Sequence, residues 1–240
     1  MKIRIPSSVI RVETLEREAS LFACSKKDLS LWNPRIGEAF TVCSNSYVWF
    51  RARLEKSLDD KYILRAFEKI KNPEPEIAIN LYQAVPQKER MELIIEKAAE
   101  LGVSRVIPVI TSKSSSVKKR DEKQKKSHNW PKLALKASKQ CRRGSVLEIC
   151  SEIELKRCFD GLKSDLNIFL NEKETDFKIK NVDLKNIRSV SVFNGPEGGF
   201  SEPEREFFKK NGVFSVTLGP RILRTETAAI SACSFFSLFL

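Results

Sequence analysis

Histidine is nearly missing from this chain: His128 is the only one in 240 residues. It stands in a lysine-rich stretch, so a Ser-His-Asp or Cys-His hydrolase would have to be built on that one residue, and hydrolysis is disfavoured. Cysteine occurs six times, at Cys24, Cys43, Cys141, Cys150, Cys158 and Cys233, but never as a Cys-x-x-Cys pair. Structural zinc needs four closely placed Cys or His ligands. No metal is therefore expected, and reduced, mostly buried thiols are the plainer reading. Long hydrophobic runs are missing too. None approaches the ~20 apolar residues that span a bilayer, and the start, Met1-Lys2-Ile3-Arg4-Ile5-Pro6, lacks the apolar stretch of a signal peptide. A cytoplasmic protein without membrane contact is expected.

Charge, by contrast, is plentiful and uneven. The formal net charge is +12, and between Lys113 and Arg143 twelve basic residues face only Asp121 and Glu122. Such a concentration can neutralise several phosphates and release their counterions. A single charge run can also be a solvated loop, so composition alone leaves both readings open.

Along the chain the hydrophobic period changes once. Residues 40–43, 47–50 and 62–64 are rich in β-branched and aromatic side chains and read as short strands separated by turns. Lys71-Asn72-Pro73-Glu74-Pro75 reads as a linker, because two close prolines disfavour helix. This divides the chain into a small β-rich domain, residues 1–72, and a larger one, residues 73–240. In the second, Ile77, Ile79 and Leu81 alternate as in a strand. Met91, Ile94, Ile95, Ala98 and Ala99 then recur at helical spacing up to Gly102, a good helix stop. Residues 106–110 read as the next strand, with Pro108 awkward in a central position. Trp130, Leu133, Ala134, Ala137 and Cys141 mark another amphipathic helix. Apolar runs follow at 146–149, 166–170 and 190–193, with a helix expected around 152–159. Alternating strands and helices predict a parallel α/β sheet covered on both faces.

Two segments near the C-terminus concentrate unusual chemistry. The strand 190–194 runs into Gly195-Pro196-Glu197-Gly198-Gly199-Phe200, and Ser201-Glu202-Pro203-Glu204 then opens a helix with a capping-box pattern. Ligands of α/β sheets bind beyond the carboxyl ends of strands, where glycines let the backbone approach. A plain strand-turn-helix connection would use similar residues. The next strand, 213–218, leads into Gly219-Pro220-Arg221-Ile222-Leu223-Arg224-Thr225-Glu226-Thr227-Ala228-Ala229 and an apolar helix. Two arginines, a glutamate and two threonines beside a buried helix are costly for a simple connection, so a site is the better reading.

These two segments closely resemble the paired signature of the RsmE family of ribosomal RNA uridine-N3 methyltransferases, of the SPOUT class. Upstream, Lys88, Arg90-Met91-Glu92, Lys97, Glu100-Leu101-Gly102-Val103 and Pro108 resemble that family's first strand-helix-strand block. Trp130 and Ala137-Ser138-Lys139-Gln140-Cys141-Arg142-Arg143 resemble its next helix. The resemblance spans residues 77–240. It implies a SPOUT-type α/β parallel sheet with a C-terminal deep trefoil knot, preceded by a small β-rich, PUA-like barrel domain that helps hold RNA. It also implies a homodimer, with S-adenosylmethionine as cofactor and small-subunit (16S) ribosomal RNA as partner.

On the same resemblance Leu170, Gly195, Glu197, Gly198, Gly199, Leu218, Gly219, Ile222, Leu223 and Ala228 would line the cofactor pocket. Arg224 would stabilise negative charge on the uridine. Glu226 would accept the N3 proton or orient Arg224, and Thr225 would cap the last helix. RNA contact falls to Lys88, Arg90, Lys118, Lys119, Arg120, Arg142 and Arg143. The sequence departs from the family pattern at residues 28–35, at Lys136 and at Leu147. Two other functions fit the same residues: an RNA-binding or ribosome-assembly protein that has lost turnover, and a methyltransferase acting on transfer RNA.

Overall fold

The structure is a computed structural model that describes residues 9–12, 18, 20–86, 90–114, 116, 118, 121, 127–160 and 163–238. The chain forms two compact units. The first comprises the residues up to Glu74 together with the distant segment Ser138–Val146; the second comprises Pro75–Ala137 and Leu147–Leu240.

The first unit is a five-stranded, partly closed, barrel-like sheet. Its strands are β1 (Ile10–Val12), β2 (Leu21–Ser25), β3 (Ala39–Ser44), β4 (Trp49–Ser57) and β5 (Lys61–Ile70), in the order β1-β3-β4-β5-β2. β1 runs parallel to β3 and the other pairs are antiparallel. Two register shifts between β4 and β5, at Arg51/Ala52 and Leu54/Lys56, add the local twist that curls such a sheet. Phe50, Leu54, Leu64, Val42, Trp32 and Leu29 fill its interior. The apolar runs in the sequence anticipate β3, β4 and β5. They do not anticipate β1 and β2, whose burial alternates residue by residue.

The segment 138–146 joins this unit through buried polar contacts. The Glu74 carboxylate receives Arg143 Nη2 at 2.8 Å, the N–H groups of Gly144 and Ser145 at 2.9 Å each, and the Ser145 hydroxyl at 2.7 Å. Thr41 Oγ1 donates to the Arg142 carbonyl, and Lys139 pairs with Glu38. Gly144 lies against the Trp49 ring so closely that a Cβ there would stand 2.2 Å from it.

The second unit is built on a seven-stranded parallel sheet. Its strands are β6 (Ala78–Ala84), β7 (Arg105–Ile110), β8 (Glu148–Ile149), β9 (Ile153–Glu154), β10 (Leu166–Leu170), β11 (Ser189–Asn194) and β12 (Phe214–Val216). The order is β12-β10-β11-β6-β7-β8, with β9 also pairing β7. Pro108 finds its place in a gap of this ladder. β8 pairs with Arg105 and Val106, β9 pairs with Val109 and Ile110, and the proline between them has no registered partner on that side. The expected helix at 152–159 is a correction: the stretch is β9 followed by a 3-10 turn, Leu155–Phe159.

Side chains of a strand alternate between its faces, and here they feed two cores. On one face Ile79, Leu81, Val106, Ile168, Val190 and Val192 meet three helices: α1 (Arg90–Glu100), α2 (Trp130–Gln140) and the last, α4 (Thr225–Leu238). The buried stripe of α1 is Met91, Ile94, Ile95, Ala98 and Ala99, and Gly102 beyond it takes φ +74°. On the other face Phe208 of α3 (Glu202–Lys210) stacks on Phe169 and meets Phe193 at a tilt of 59°, with ring centroids 4.7 and 5.0 Å apart. Both faces of the sheet are thus covered, as all-parallel pairing requires. Among the described residues no helix is long and apolar enough to cross a membrane.

Candidate active site

Strands β10, β11 and β12 are neighbours and parallel, so their carboxyl ends share one edge of the sheet. The connections leaving those ends enclose a cleft of about 430 Å³. All ten residues expected to hold a cofactor line it: Leu170; Gly195, Glu197, Gly198 and Gly199; Leu218, Gly219, Ile222, Leu223 and Ala228. Arg224 lines it as well, and Glu226 does not. The sequence did not single out Asn171, Glu172 and Thr217, which complete the wall. A usable signal for two of them was their position just past the end of a strand.

Two glycines have conformational reasons to be there. Gly199 has φ +60°, and a Cβ on it would meet the Glu172 carboxylate oxygens at 2.9 and 3.1 Å. Gly219 has φ +127°, a region that side chains rarely enter. Its N–H donates to Thr217 Oγ1, and that hydroxyl donates to the Gly219 carbonyl, which closes the turn on itself.

Beneath the cleft lies a buried polar hub. Asn194 ends β11, and its amide donates to Gln83 Oε1 at 2.7 Å, to the Thr225 carbonyl at 2.9 Å and to Thr225 Oγ1 at 3.0 Å. Gln83 of β6 donates to the Ala84 carbonyl and to Thr225 Oγ1. The Thr225 hydroxyl in turn donates to the Gly195 carbonyl at 2.6 Å. With two bonds accepted and one donated, the hydroxyl is fully used. Thr225 therefore pins the start of α4 to the ends of β6 and β11, and does not cap its own helix as expected. That contact fixes where Arg224 and Glu226 stand.

The glycine-rich turn is anchored from outside too. Lys113, the first lysine of the basic run, donates through Nζ to the Gly198 carbonyl at 2.8 Å. Glu204 of α3 takes the Ser201 N–H and hydroxyl at 2.8 and 2.9 Å, and the Ser112 N–H at 2.7 Å. Burial pushes the Glu204 carboxyl up, but those bonds outweigh it and hold the group below its ordinary value.

Arg90, the first residue of α1, also lines the cleft. Its Nη1 donates to Glu197 at 2.9 Å, and its Nε stands 3.8 Å from Glu226 Oε2. Arg90, expected at the RNA, has its guanidinium between two carboxylates beside the cleft. Glu226 Oε2 is buried without a hydrogen-bond partner among the described residues. Arg90, and not Arg224, is the cation beside it. Among the described residues the Arg221 and Arg224 side chains are exposed and make no hydrogen bond or ion pair.

The remaining expected RNA contacts separate clearly. Lys118 and Arg142 are exposed. Arg143 is a correction: it is only 4% exposed and is held by Glu74, so its charge does not face solvent. Lys88, Lys119 and Arg120 lie outside the described residues. No disulfide forms among the six cysteines in the described residues, and burial pushes the Cys158 and Cys233 thiols up to about 12.

Known proteins resemble this chain along most of its length. A family model described as an RNA methyltransferase domain matches residues 72–237. The ribosomal RNA small subunit methyltransferase E of Aquifex aeolicus is 35% identical over 173 residues, 72% of this chain and 73% of that protein. The protein of that name from Buchnera aphidicola (subsp. Schizaphis graminum) is 33% identical over 190 residues, covering 79% and 76%. Among solved structures, a Legionella pneumophila protein described as a methyltransferase in complex with S-adenosylmethionine superposes with a TM-score of 0.67 at 28% identity, covering 95% of this chain and 96% of that one. The Neisseria gonorrhoeae ribosomal RNA small subunit methyltransferase E shares the fold, with a TM-score of 0.68 at 23% identity over 94% and 95% of the two chains. The chain belongs to the ribosomal RNA small subunit methyltransferase E family of SPOUT-like RNA methyltransferases.

Proposed function

We propose that this protein transfers a methyl group from S-adenosylmethionine to N3 of a uridine in small-subunit ribosomal RNA. The observation that carries the reading is the cleft itself. Two glycine-bearing turns and a third strand end converge on it, with Arg224 on its wall. Its chemistry suits the cofactor. A space of about 430 Å³ lies within the ~300–1,000 Å³ of small-molecule sites. Leu170, Leu218, Leu223 and Ala228 offer apolar surface to a purine, and the glycines at 195, 198, 199 and 219 put no side chain between a ligand and the backbone.

The sulfonium of the bound cofactor supplies an activated methyl group, so the protein's part is positioning and charge management. Uridine N3 carries a proton at neutral pH, and negative charge develops on the base as that proton leaves. Arg224, exposed and unpaired among the described residues, is free to meet that charge. Glu226, close by at the start of α4, is the proton acceptor in this reading. Lys118 and Arg142 are exposed and suited to phosphate contact. The barrel-like unit acts as a PUA-like RNA-holding domain, and the enzyme works as a cytoplasmic homodimer.

The test is to map modified nucleotides in ribosomal RNA from cells with and without this gene. Loss of one 3-methyluridine from the small-subunit RNA is expected. An unchanged small-subunit pattern would reject the assignment, and loss of a transfer RNA methyl group would move the target there.

A further inference from the structure

Two carboxylates line the cleft, and they differ in what they are bound to. Glu197 receives a hydrogen bond from Arg90 at 2.9 Å. Glu172 is exposed and, among the described residues, makes no hydrogen bond or ion pair. It follows β10 by two residues, and β10 lies between β11 and β12 in the sheet, so Glu172 rises between the two glycine-bearing turns. Its neighbour Asn171 is fixed. The Asn171 N–H donates to the Val216 carbonyl at 3.0 Å, its side chain donates to Ser215 Oγ at 3.0 Å, and its Oδ1 accepts the Lys173 N–H at 3.1 Å. The Glu172 carboxylate lies against Gly199, where a Cβ would stand 2.9 and 3.1 Å from its oxygens and displace it.

The cations of the cleft sharpen the contrast. Arg90 is offset by Glu197 and Glu226, whereas Arg221 and Arg224 have no carboxylate on them among the described residues. S-adenosylmethionine carries a sulfonium and an ammonium against one carboxylate, a net charge of +1. A cleft with two uncompensated guanidiniums opposes that charge unless an anion stands close to it. Among the described residues Glu172 is the one anion lining the cleft with no hydrogen bond or ion pair.

We propose that Glu172 is the counter-charge for the cationic methionine-sulfonium half of S-adenosylmethionine, and that it makes the cleft prefer this cofactor over its neutral product, S-adenosylhomocysteine. The inference rests on the cofactor reading above and adds a residue and a selectivity to it.

Calorimetry on Glu172→Gln tests it with three ligands: S-adenosylmethionine, S-adenosylhomocysteine and sinefungin, which carries an ammonium-bearing carbon in place of the sulfonium. The expected result is a loss of about tenfold or more for the two cationic ligands and under about threefold for the neutral one. Glu172→Asp, which keeps the charge, should retain the preference for the cationic pair. Equal weakening of all three ligands would overturn the proposal and place the carboxylate on a part they share, such as the ribose. Unchanged affinity for all three would overturn it as well. A wild-type protein that binds none of them would overturn both this proposal and the cofactor reading, whereas a wild type that binds all three with uniform loss in the variant overturns this proposal alone.

Discussion

Thr225 Oγ1 donates to the Gly195 carbonyl across 2.6 Å, a bond between the first residue of the last helix and the first residue of the glycine-rich turn. Thr225 is 5% exposed, and its hydroxyl also receives the side-chain amides of Gln83 and Asn194. Thr225→Val keeps the shape and strips that oxygen away. Each buried polar group left unpaired costs about 1–3 kcal/mol. Urea unfolding of the variant should show a lower midpoint with an unchanged slope, by about 2 kcal/mol or more. A midpoint equal to wild type would mean that the hub contributes nothing net.

Arg90 joins the same two elements from the other side, through Glu197 and Glu226. Because its side chain is 37% exposed, the pairs themselves add little to stability. Arg90→Ala should therefore melt within a few degrees of wild type yet lose methylation rate, because the carboxylates it spans are left unconstrained. An RNA-phosphate role would show itself differently. The slope of log RNA affinity against log salt would then flatten by roughly 0.7–0.9, and an unchanged slope is expected here.

Glu204 links pH to folding. Its carboxyl is held below the ordinary value of 4.5 in the folded protein. A group depressed on folding stabilises the protein fully above its unfolded pKa, and the contribution is lost as pH falls through the lower, folded pKa. Glu204→Gln should accordingly lower stability at pH 7 and lose less than wild type on acidification below about 4.5. Parallel wild-type and variant curves of stability against pH would contradict the assignment.

Much of this architecture is readable from residue order, for a physical reason. The stripe of α1, the helix stop at Gly102 and the strand ends at 170 and 194 depend on local periodicity and turn chemistry, whereas the strand expected over 213–218 is shorter, Phe214–Val216. Ten cleft residues are expected through the family resemblance of the two signature segments, whereas Arg90, Asn171, Glu172 and Thr217 join the lining only through the fold. What escaped depends on contacts distant in sequence. Arg143 sits in a basic run, and only its meeting with Glu74, 69 residues away, makes it a buried structural cation. Thr225 stands where a helix cap should, but Asn194 and Gln83 claim its hydroxyl from β11 and β6. Residues 152–159 have a helical composition, yet pairing of Ile153 and Glu154 with Val109 and Ile110 draws the start into a strand.

Arg224 and Glu226 can be separated kinetically. Arg224→Ala should not weaken cofactor binding, and should cost about 2.7–4 kcal/mol of transition-state stabilisation, the usual loss on deleting a donor to a developing anion. Glu226→Gln keeps shape and removes basicity. With Glu226 as the base, single-turnover methylation by that variant should be slow at neutral pH and partly recover as rising pH ionises the uridine directly. A wild-type rate and pH profile would exclude the base role and leave Glu226 as a partner of Arg90.

The most direct measurement is methyl transfer by the purified protein. Small-subunit ribosomal particles lacking the modification are incubated with the protein and S-adenosylmethionine labelled in its methyl group, and the RNA is digested to nucleosides. The label should appear in 3-methyluridine at one position, and Arg224→Ala should slow its appearance by about a hundred- to a thousandfold while still binding the cofactor. Label in any other nucleoside, or none with wild-type protein that binds the cofactor, would contradict the assignment.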